Sequence, residues 1–233
     1  MKKFEAIILS GGKGSRVRKI TKNIPKCLIE FNGNPFLFYQ LKYLKKNKIK
    51  NVILSVGYKS NLVKEYVKRK INFINVKVVS DGKYLLGTGG AIKKSIKFLD
   101  KYFYVIYGDS FINFNLKNFK RNSGYSTMAI YKNNNKYDLS NVERKDNGFI
   151  IYDKLNKKKK YRYIDYGVSY LDKKIFKNYK KNKRFDLSVL LQQISKNFKL
   201  KGIVAKKRFF EIGSYNGIKK FRNYTKNEFY KKL

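Results

Sequence analysis

The order of apolar and polar positions divides the chain into two halves with different patterns. In the first half, short apolar runs alternate with stretches in which apolar residues recur every three or four positions. The first pattern is typical of buried strands and the second of amphipathic helices. The predicted strands are Phe4–Leu9, Asn51–Val56, Asn75–Val79 and Phe103–Tyr107, and the predicted helices are Pro35–Lys46, Leu62–Lys70 and Leu86–Leu99. This alternation favours an α/β fold with a doubly wound, mostly parallel sheet.

The second half has more strands, and they are rich in aromatic residues. We predict that it is an α+β elaboration that completes the sheet and forms a lid. No linker rich in Pro, Gly or Ser separates it from the first half, so we predict one domain over residues 1–233. The predicted strands are Thr127–Tyr131, Val142–Arg144, Phe149–Tyr152, Tyr161–Leu171, Gly202–Ala205 and Phe209–Ile212, and the helices are Lys173–Tyr179, Leu187–Lys196 and one from about Tyr215.

A glycine-rich segment, Ser10 to Arg16, directly follows the first predicted strand. Its glycines remove side chains that would keep the backbone away from a ligand, so its amide groups can form a nest for an anion. Arg16 and Lys26 add positive charge on either side, which indicates a polyphosphate ligand. The segment is neither a P-loop nor a dinucleotide fingerprint, because no lysine follows its last glycine and Val17 stands where the fingerprint has its third glycine.

Composition narrows the classes of function. Histidine is absent and Cys27 is the only cysteine, which excludes Ser–His–Asp and Cys–His catalysis, an internal disulfide and a cysteine zinc cluster. We expect Cys27 to be an inert, apolar side chain. No stretch approaches the roughly 18 apolar residues of a membrane span, and no signal-peptide cleavage site follows the basic start. We therefore predict a cytoplasmic location.

The net charge of +41 leaves two interpretations open. A strongly basic chain is typical of proteins that bind nucleic acid or an anionic membrane surface. The charge also fits a biased composition, because Lys, Asn, Ile, Tyr and Phe are all abundant and the lysines are spread along the whole chain. Since no single basic stripe is present, we expect no specific nucleic-acid partner.

The motifs resemble those of the sugar-1-phosphate nucleotidylyltransferases over nearly the whole chain. The pattern G-G-x-G-x-R followed by Pro25-Lys26 is similar to that family's signature, and residues 87–91, Gly-Thr-Gly-Gly-Ala, are similar to its segment beside the nucleobase. Gly108-Asp109 is similar to its metal-binding Gly-Asp. The nearest branch is the bacterial heptose- and mannose-1-phosphate guanylyltransferases, through residues 35–37 and 54–58.

The resemblance implies a reaction and a role for each candidate residue. A nucleotidyl group would pass from an NTP, with GTP favoured, to a heptose or hexose 1-phosphate, giving pyrophosphate and an NDP-sugar for surface polysaccharide synthesis. The fold would be Rossmann-like, with a nucleotide-binding half (1–125) and a sugar-binding and lid half (126–233), and a homodimer is compatible with it. The implied residues are Arg16 and Lys26 in catalysis; Ser10, Gly11, Gly12, Gly14, Ser15, Gly87 and Thr88 for the nucleotide; Gly89, Gly90, Asp153, Lys154, Asp165 and Gly167 for the sugar; and Asp109 and Glu211 for Mg²⁺.

These residue types suit the implied chemistry. A sugar 1-phosphate is already an anionic nucleophile, so the protein has to position it and stabilise charge, which needs no histidine or serine. Glu211 departs from the aspartate that is usual in the family, and its longer side chain predicts a place across the cleft from Asp109, within about 10 Å if both are to hold one Mg²⁺.

Three alternatives remain at this stage. The same chemistry could use CTP or UTP with another phosphorylated acceptor. The net charge favours a basic nucleic-acid-binding protein on a Rossmann-like fold. A glycosyltransferase with the same kind of sheet would need a D-x-D metal motif after a strand, and the sequence has none there.

Overall fold

The computed structural model describes residues 3–12, 14–82, 84–122, 124–155 and 161–229. Its strands are β1 (Phe4–Ser10), β2 (Glu30–Phe31), β3 (Asn34–Pro35), β4 (Asn51–Val56), β5 (Asn75–Ser80), β6 (Leu99–Tyr107), β7 (Ser110–Phe111), β8 (Ser126–Lys132), β9 (Val142–Arg144), β10 (Ile150–Tyr152), β11 (Tyr163–Asp172), β12 (Leu200–Val204) and β13 (Phe210–Glu211). Its α-helices are α1 (Arg18–Thr21), α2 (Phe36–Lys46), α3 (Ser60–Lys70), α4 (Gly87–Ser95), α5 (Leu187–Lys196) and α6 (Tyr215–Tyr224). Short 3₁₀ turns occur at Ser15–Val17, Lys26–Leu28, Leu116–Asn122 and Lys173–Phe176, and a π turn at Thr225–Phe229.

Nine of the strands in the described residues form one mixed sheet that runs through both halves of the chain. Along it the order is β10-β9-β11-β6-β1-β4-β5, while β8 pairs with β11 and β12 pairs with β8. The strands β6, β1, β4 and β5 are parallel to one another. In contrast, β11 is antiparallel to both β6 and β8. The predicted Rossmann-like, mostly parallel mixed sheet is therefore confirmed.

Helices cover both faces of this sheet. Successive residues of a strand point to opposite faces, and Ile7 and Ile8 of β1 accordingly belong to two different apolar clusters. Ile8 packs in the cluster that contains Leu41 of α2 and Val63 of α3. Ile7 packs in the cluster that contains residues of α4 and α5, such as Leu191. The alternation that predicts a doubly wound sheet thus corresponds to two separate apolar layers.

Two predicted boundaries are wrong by four residues, and one predicted helix is only a turn. The helix that opens at residue 87 ends at Ser95 rather than Leu99, and β6 begins at Leu99 rather than Phe103. Ile96 and Leu99 continue the helical spacing of apolar residues, but Phe4 N donates to Phe98 O at 3.0 Å and Leu99 pairs with Phe4. Residues 96–98 therefore form a turn, and pairing with β1 makes Leu99 the first residue of a strand. The predicted helix Lys173–Tyr179 is only the 3₁₀ turn Lys173–Phe176.

The carboxyl ends of β1, β4, β5 and β6 meet at one edge of the sheet. Ligands of open α/β sheets bind at this edge, and here it carries residues 10–12, 14, 57–58, 81 and 108–109. Among the described residues, no helix is long and apolar enough to cross a bilayer. The single-domain boundary and the cytoplasmic location stay predictions.

Candidate active site

A cavity of about 200 Å³ opens at the carboxyl ends of β1 and β6. Ser10 and Gly12 of the glycine-rich segment line it, together with Lys26, Thr88 and Asp109. A Cβ on Gly12 would have no atom within 4 Å, so the backbone is open to a ligand there. The glycine-rich segment therefore borders open space at the sheet edge, which is what an anion nest requires.

Three larger grooves, of about 720, 680 and 440 Å³, lie elsewhere on the molecule. The first two have no carboxylate in their described linings, the third has Asp146 beside Arg144, and none of the three includes a candidate residue. We assign the site to the smaller cavity because the candidate residues Lys26 and Asp109 and the open backbone of Gly12 converge on it at the carboxyl ends of parallel strands.

A close approach of β1 and β6 fixes Asp109 at the mouth of the cavity. Gly108 N donates to Leu9 O at 2.9 Å, and a Cβ on Gly108 would lie 2.1 Å from Ser10 Oγ. Only glycine lets the two strand ends meet this closely. The next residue, Asp109, forms an ion pair with Lys26, with 3.2 Å between Oδ2 and Nζ. The residue predicted to bind the metal, Asp109, and a residue predicted to bind phosphate, Lys26, are therefore in direct contact.

Arg16 reaches the same region from the other side of the cleft. A Cβ on Gly213 would lie 3.4 Å from Arg16 Nη2, 3.1 Å from Glu211 Oε2 and 3.7 Å from Asp109 Oδ2. The oxygens of Asp109 and Glu211 both lie within 4 Å of this one point, so they are less than 10 Å apart. The two carboxylates are therefore close enough to share one metal ion, as the sequence analysis requires. Two acidic and two basic side chains thus surround the end of the glycine-rich segment.

A short pairing of strands and a group of aromatic rings bring Glu211 to this position. In β13, Glu211 pairs with Ser110 of β7, and Ile212 N donates to Asp109 O at 2.9 Å. Phe111 and Phe221 of α6 pack behind them, with ring centroids 5.2 Å apart. The late part of the chain therefore returns to the loop that carries Asp109.

Glu211 also anchors the start of α6. Its Oε2 accepts hydrogen bonds from the amides of Gly213 and Ser214 at 2.6 and 3.0 Å, and its Oε1 accepts from the Ser214 hydroxyl. Ser214 Oγ in turn accepts from Gly217 N at 3.0 Å and caps the helix. A carboxylate in this place is stabilised by the free amides and the dipole of the helix N-terminus. Glu211 therefore has a structural role beside any role toward a metal.

The glycines at the start of α4 are packed against Phe185. Phe185 O accepts from the amides of Gly89 and Gly90 at 3.0 and 3.1 Å, and a Cβ on Gly89 would lie 2.2 Å from the Phe185 ring. Gly87, with φ +71°, faces the same carbonyl. Thr88 lines the cavity. Close packing explains the small residues here, and the sugar-binding role of Gly89 and Gly90 stays a prediction.

Asp165 lies on β11 beside the cavity-lining residue Tyr107. Tyr107 OH donates to Asp165 Oδ2 at 3.0 Å, and Gly167 N donates to Oδ1 at 2.8 Å. Burial raises the pKa of Asp165 to about 6, although these hydrogen bonds and the charge of Lys154 lower it. The carboxylate is therefore mostly ionised at neutral pH and can accept hydrogen bonds from a ligand.

Asn141 connects Asp153 and Asp165, two of the residues predicted to bind the sugar. Its backbone carbonyl accepts from Asp153 N at 2.9 Å, and its side-chain oxygen accepts from Asp165 N at 3.0 Å. Asp153 Oδ1 itself is 3.5 Å from Gln192 Nε2 of α5, and Lys154 is exposed. Asp153 is thus held between the sheet and α5.

Sequence reasoning missed Asp81, which directly follows β5. Its side chain is buried, its Oδ2 accepts from Leu86 N at 3.2 Å, and that same atom lies 3.4 Å from the position of a Cβ on Gly11. Burial raises the Asp81 pKa. An acidic residue at the end of a predicted parallel strand was the available signal, because ligands bind at that edge.

The remaining predicted residues lie near the loop. Gly14 has φ +68° and packs on the Lys26 side chain, and Ser15 is exposed. Cys27 is 2% exposed, and burial raises the pKa of its thiol to about 12. It is therefore unreactive at neutral pH, as the sequence suggests.

The sheet, the glycine-rich loop and the carboxylate at the end of β6 define a nucleotide-dependent transferase site. The family model for nucleotidyl transferases matches residues 5–210, and the chain belongs to this family. It is a nucleotidyltransferase.

Characterised relatives and solved structures agree with this assignment. The chain is 37% identical over 212 residues to the D-glycero-alpha-D-manno-heptose 1-phosphate guanylyltransferase of Campylobacter jejuni subsp. jejuni serotype O:2, covering 90% of this chain and 95% of the relative. The enzyme of that name from Aneurinibacillus thermoaerophilus is 31% identical over 219 residues, covering 90% and 93%. The fold is similar to the structure of HddC from Yersinia pseudotuberculosis complexed with GMP-PN, with a TM-score of 0.79, 24% identity and coverage of 95% and 99%.

Members of this family typically use a divalent metal ion, and the residues present fit one. Oxygen atoms of Asp109 and Glu211 lie within 4 Å of one point, and the Asp109 side chain is 36% exposed. No group of three or more His, Cys, Asp or Glu residues surrounds a common site in the described part of the chain. The other ligands would be phosphate oxygens and water, which is the usual arrangement for a metal that binds together with a nucleotide.

Proposed function

We propose that the protein transfers a guanylyl group from GTP to a heptose 1-phosphate. An oxygen of the sugar phosphate attacks the α-phosphorus of GTP, the bond from that phosphorus to the bridging oxygen breaks, and pyrophosphate leaves with the bonding electrons. The observation that carries this proposal is the contact between Lys26 and Asp109 beside the glycine-rich segment, in a chain with 37% identity to a heptose 1-phosphate guanylyltransferase.

Lys26 and Arg16 would supply the positive charge that binds the phosphates and stabilises the transition state. Lys26 lines the cavity and offers a compact charge for the α-phosphate, whereas the Arg16 guanidinium can bind two leaving-group oxygens at once. The open amide face at Gly12 adds donors for the remaining oxygens. Charge that develops in the transition state is therefore met by groups that are already in place.

Asp109 and Glu211 would hold Mg²⁺ in this proposal. Bound there, the ion would neutralise phosphate charge and orient the polyphosphate. The chain itself keeps Asp109 ready for it through the pairing with Lys26 and fixes Glu211 through the amides of α6.

Asp81 supports guanine as the base. Its buried carboxylate lies near Gly11 at the carboxyl ends of neighbouring parallel strands. A carboxylate is complementary to the adjacent N1–H and 2-amino donors of guanine and to no other common base in that pattern. Asp165 and the residues around it would accept hydrogen bonds from the hydroxyls of the sugar.

Pyrophosphate release measured with four NTPs against a panel of sugar 1-phosphates tests the proposal. We expect the highest kcat/KM with GTP and D-glycero-α-D-manno-heptose 1-phosphate. A preference for CTP or UTP, or for inositol phosphate or a hexose 1-phosphate, would replace the proposed substrates. An absence of pyrophosphate release with every pair would contradict the reaction itself.

A further inference from the structure

Tyr107 is absent from the motifs, yet it lines the same cavity as Lys26 and Asp109. Its hydroxyl donates to Asp165 Oδ2 at 3.0 Å. We propose that Tyr107 is a positioning residue, which holds the Asp165 carboxylate in the orientation that accepts hydrogen bonds from the hydroxyls of the sugar phosphate. The inference rests on the proposed function, because it takes a sugar as the partner of Asp165.

The backbone of β11 explains why this carboxylate needs an external support. The pairing of β11 with β8 changes register between Asp165 and Ser169, and Gly167 in this stretch has φ +85°. An irregularity of this kind bends the strand and redirects its side chains. Asp165 therefore stands where the regular pairing with β8 stops, beside the cavity-lining residue Tyr107.

The Tyr107 ring lies close to Gly167 of β11, two residues after Asp165. The position of a Cβ on Gly167 is 3.5 Å from Tyr107 Cδ2, an ordinary van der Waals distance, and 2.9 Å from the side chain of Ser110. The ring is therefore beside this part of β11, and its hydroxyl meets the Asp165 carboxylate at 3.0 Å. The hydroxyl is the donor in this contact, as a phenol is at neutral pH.

The hydrogen bonds to Asp165 leave room for a ligand. Oδ2 accepts from Tyr107, Oδ1 accepts from Gly167 N, and the backbone amide of Asp165 donates to Asn141. Each carboxylate oxygen can accept a further hydrogen bond. The hydroxyl groups of a sugar are suitable donors. Because both carboxylate oxygens are held in place, only hydroxyls at particular positions of the sugar can reach them.

The charged and titratable groups near Asp165 set how its protonation responds to the loss of Tyr107. They are Tyr107 on β6, Tyr152 on β10, and Asp153 and Lys154 after β10. Burial raises the Asp165 pKa to about 6, and the hydrogen bond from Tyr107 is one of the effects that lower it. Removing the phenol hydroxyl should therefore raise this pKa further, so that Asp165 loses its charge at a higher pH.

Kinetics of Tyr107→Phe, with Tyr152→Phe as the matched control, test the proposal. Both changes remove one phenol hydroxyl near Asp165, but only Tyr107 donates to the carboxylate among the described contacts. For Tyr107→Phe we expect the KM for D-glycero-α-D-manno-heptose 1-phosphate to rise about tenfold, with kcat and the KM for GTP within about twofold. The rise of this KM at acidic pH should also begin at a higher pH than in the wild type. Ionisation of the substrate itself is the same for both proteins and cancels in this comparison.

Equal changes in both KM values, an unshifted pH profile, or the same result for Tyr152→Phe would overturn the proposal. A second measurement does not need a substrate: carboxyl ¹³C NMR of Asp-labelled protein, with the Asp165 signal assigned by its loss in Asp165→Ala. The Asp165 titration should move to higher pH in Tyr107→Phe and stay in place in Tyr152→Phe. A wild type that uses no sugar 1-phosphate would refute the proposed function and the sugar as partner, while an unchanged Asp165 titration would refute the coupling of Tyr107 to Asp165.

Discussion

Lys26 Nζ lies 3.2 Å from Asp109 Oδ2, at the mouth of the cavity that the glycine-rich segment borders. The two residues are 83 positions apart, and the meeting of β1 and β6 brings them together. Their side chains are 16% and 36% exposed. Solvent therefore screens the pair, and its contribution to stability is small. In the proposed function, each side chain would keep the other oriented toward the phosphates and the metal.

Replacing either Arg16 or Lys26 should strongly reduce turnover without affecting the fold. We expect Arg16→Ala and Lys26→Ala each to lower kcat/KM for pyrophosphate release about 100-fold or more, because a charge preorganised for the transition state is lost. Arg16 is exposed and Lys26 is partly exposed, so thermal unfolding should be almost unchanged. Arg18→Ala, an exposed neighbour, is the control and should keep wild-type activity. Near wild-type turnover in Arg16→Ala or Lys26→Ala would remove that residue from catalysis.

Two glycines of the site should respond to substitution in opposite ways. A Cβ on Gly12 meets open space, whereas a Cβ on Gly108 would lie 2.1 Å from Ser10 Oγ and 2.5 Å from Leu9 O. Gly12→Ala should therefore keep the melting temperature and raise the KM for the nucleotide, because the methyl group enters the space of the phosphates. Gly108→Ala should lower the melting temperature by several degrees. The idea of an open anion nest fails if Gly12→Ala binds nucleotide as tightly as the wild type.

The sequence predicts the sheet and the loop because each rests on local signals. The spacing of apolar residues defines β1, β4 and α2. Three glycines after a strand indicate an anion nest here because Arg16 and Lys26 follow them at the spacing of the family motif. Residues 96–99 show the limit, since the spacing of Ile96 and Leu99 fits a helix, whereas the chain turns there and Leu99 begins a strand by pairing with β1. The network of Asn141, Tyr107 and Asp165 was equally hidden, because it depends on a change of register in β11. Contacts between distant strands leave no short-range pattern.

Asp81 should decide the selectivity for guanine. We expect the wild type to prefer GTP over ITP, which lacks the 2-amino group that a carboxylate would accept from. In Asp81→Asn this preference should fall about tenfold or more, because one charged acceptor is lost from a buried contact. Asp186→Asn, which changes an exposed carboxylate near Thr88, is the control. An unchanged GTP-to-ITP ratio in Asp81→Asn would place the base elsewhere.

The net charge of +41 should not produce specific binding to nucleic acid. Within the described residues only three ion pairs form, so most lysines are solvated, and many of the aromatic rings pack in the three apolar clusters. Fluorescence anisotropy with single- and double-stranded DNA should show weak binding that is independent of sequence and fades near physiological salt. Tight, sequence-selective binding at that salt concentration would favour the nucleic-acid alternative.

The two carboxylates of the proposed metal site should contribute unequally. Asp109 faces the cavity with a single partner among the described side chains, Lys26. Glu211 already accepts three hydrogen bonds at the start of α6, and Mg²⁺ tolerates little deviation from octahedral geometry at about 2.0–2.1 Å. A metal contact of Glu211 must therefore fit lone pairs that are not used by the helix, or run through water. We expect Asp109→Asn to abolish turnover and Glu211→Gln to reduce it less, with a higher Mg²⁺ concentration at half-maximal rate.

Thermal unfolding separates the two roles of Glu211. Glutamine keeps a neutral acceptor at the helix start but loses the charge that the N-terminal amides of α6 stabilise, so Glu211→Gln should lower the melting temperature by a few degrees. Asp109→Asn should not, because its ion pair is screened by solvent. Ser214→Ala is the matched control: it removes the cap of α6 and a hydrogen bond to Glu211 but leaves the carboxylate in place. If Ser214→Ala and Glu211→Gln lose the same stability but only Glu211→Gln changes the Mg²⁺ dependence, Glu211 is a metal ligand. If neither changes the Mg²⁺ dependence, Glu211 only anchors the helix and Asp109 is left as the protein ligand of the metal.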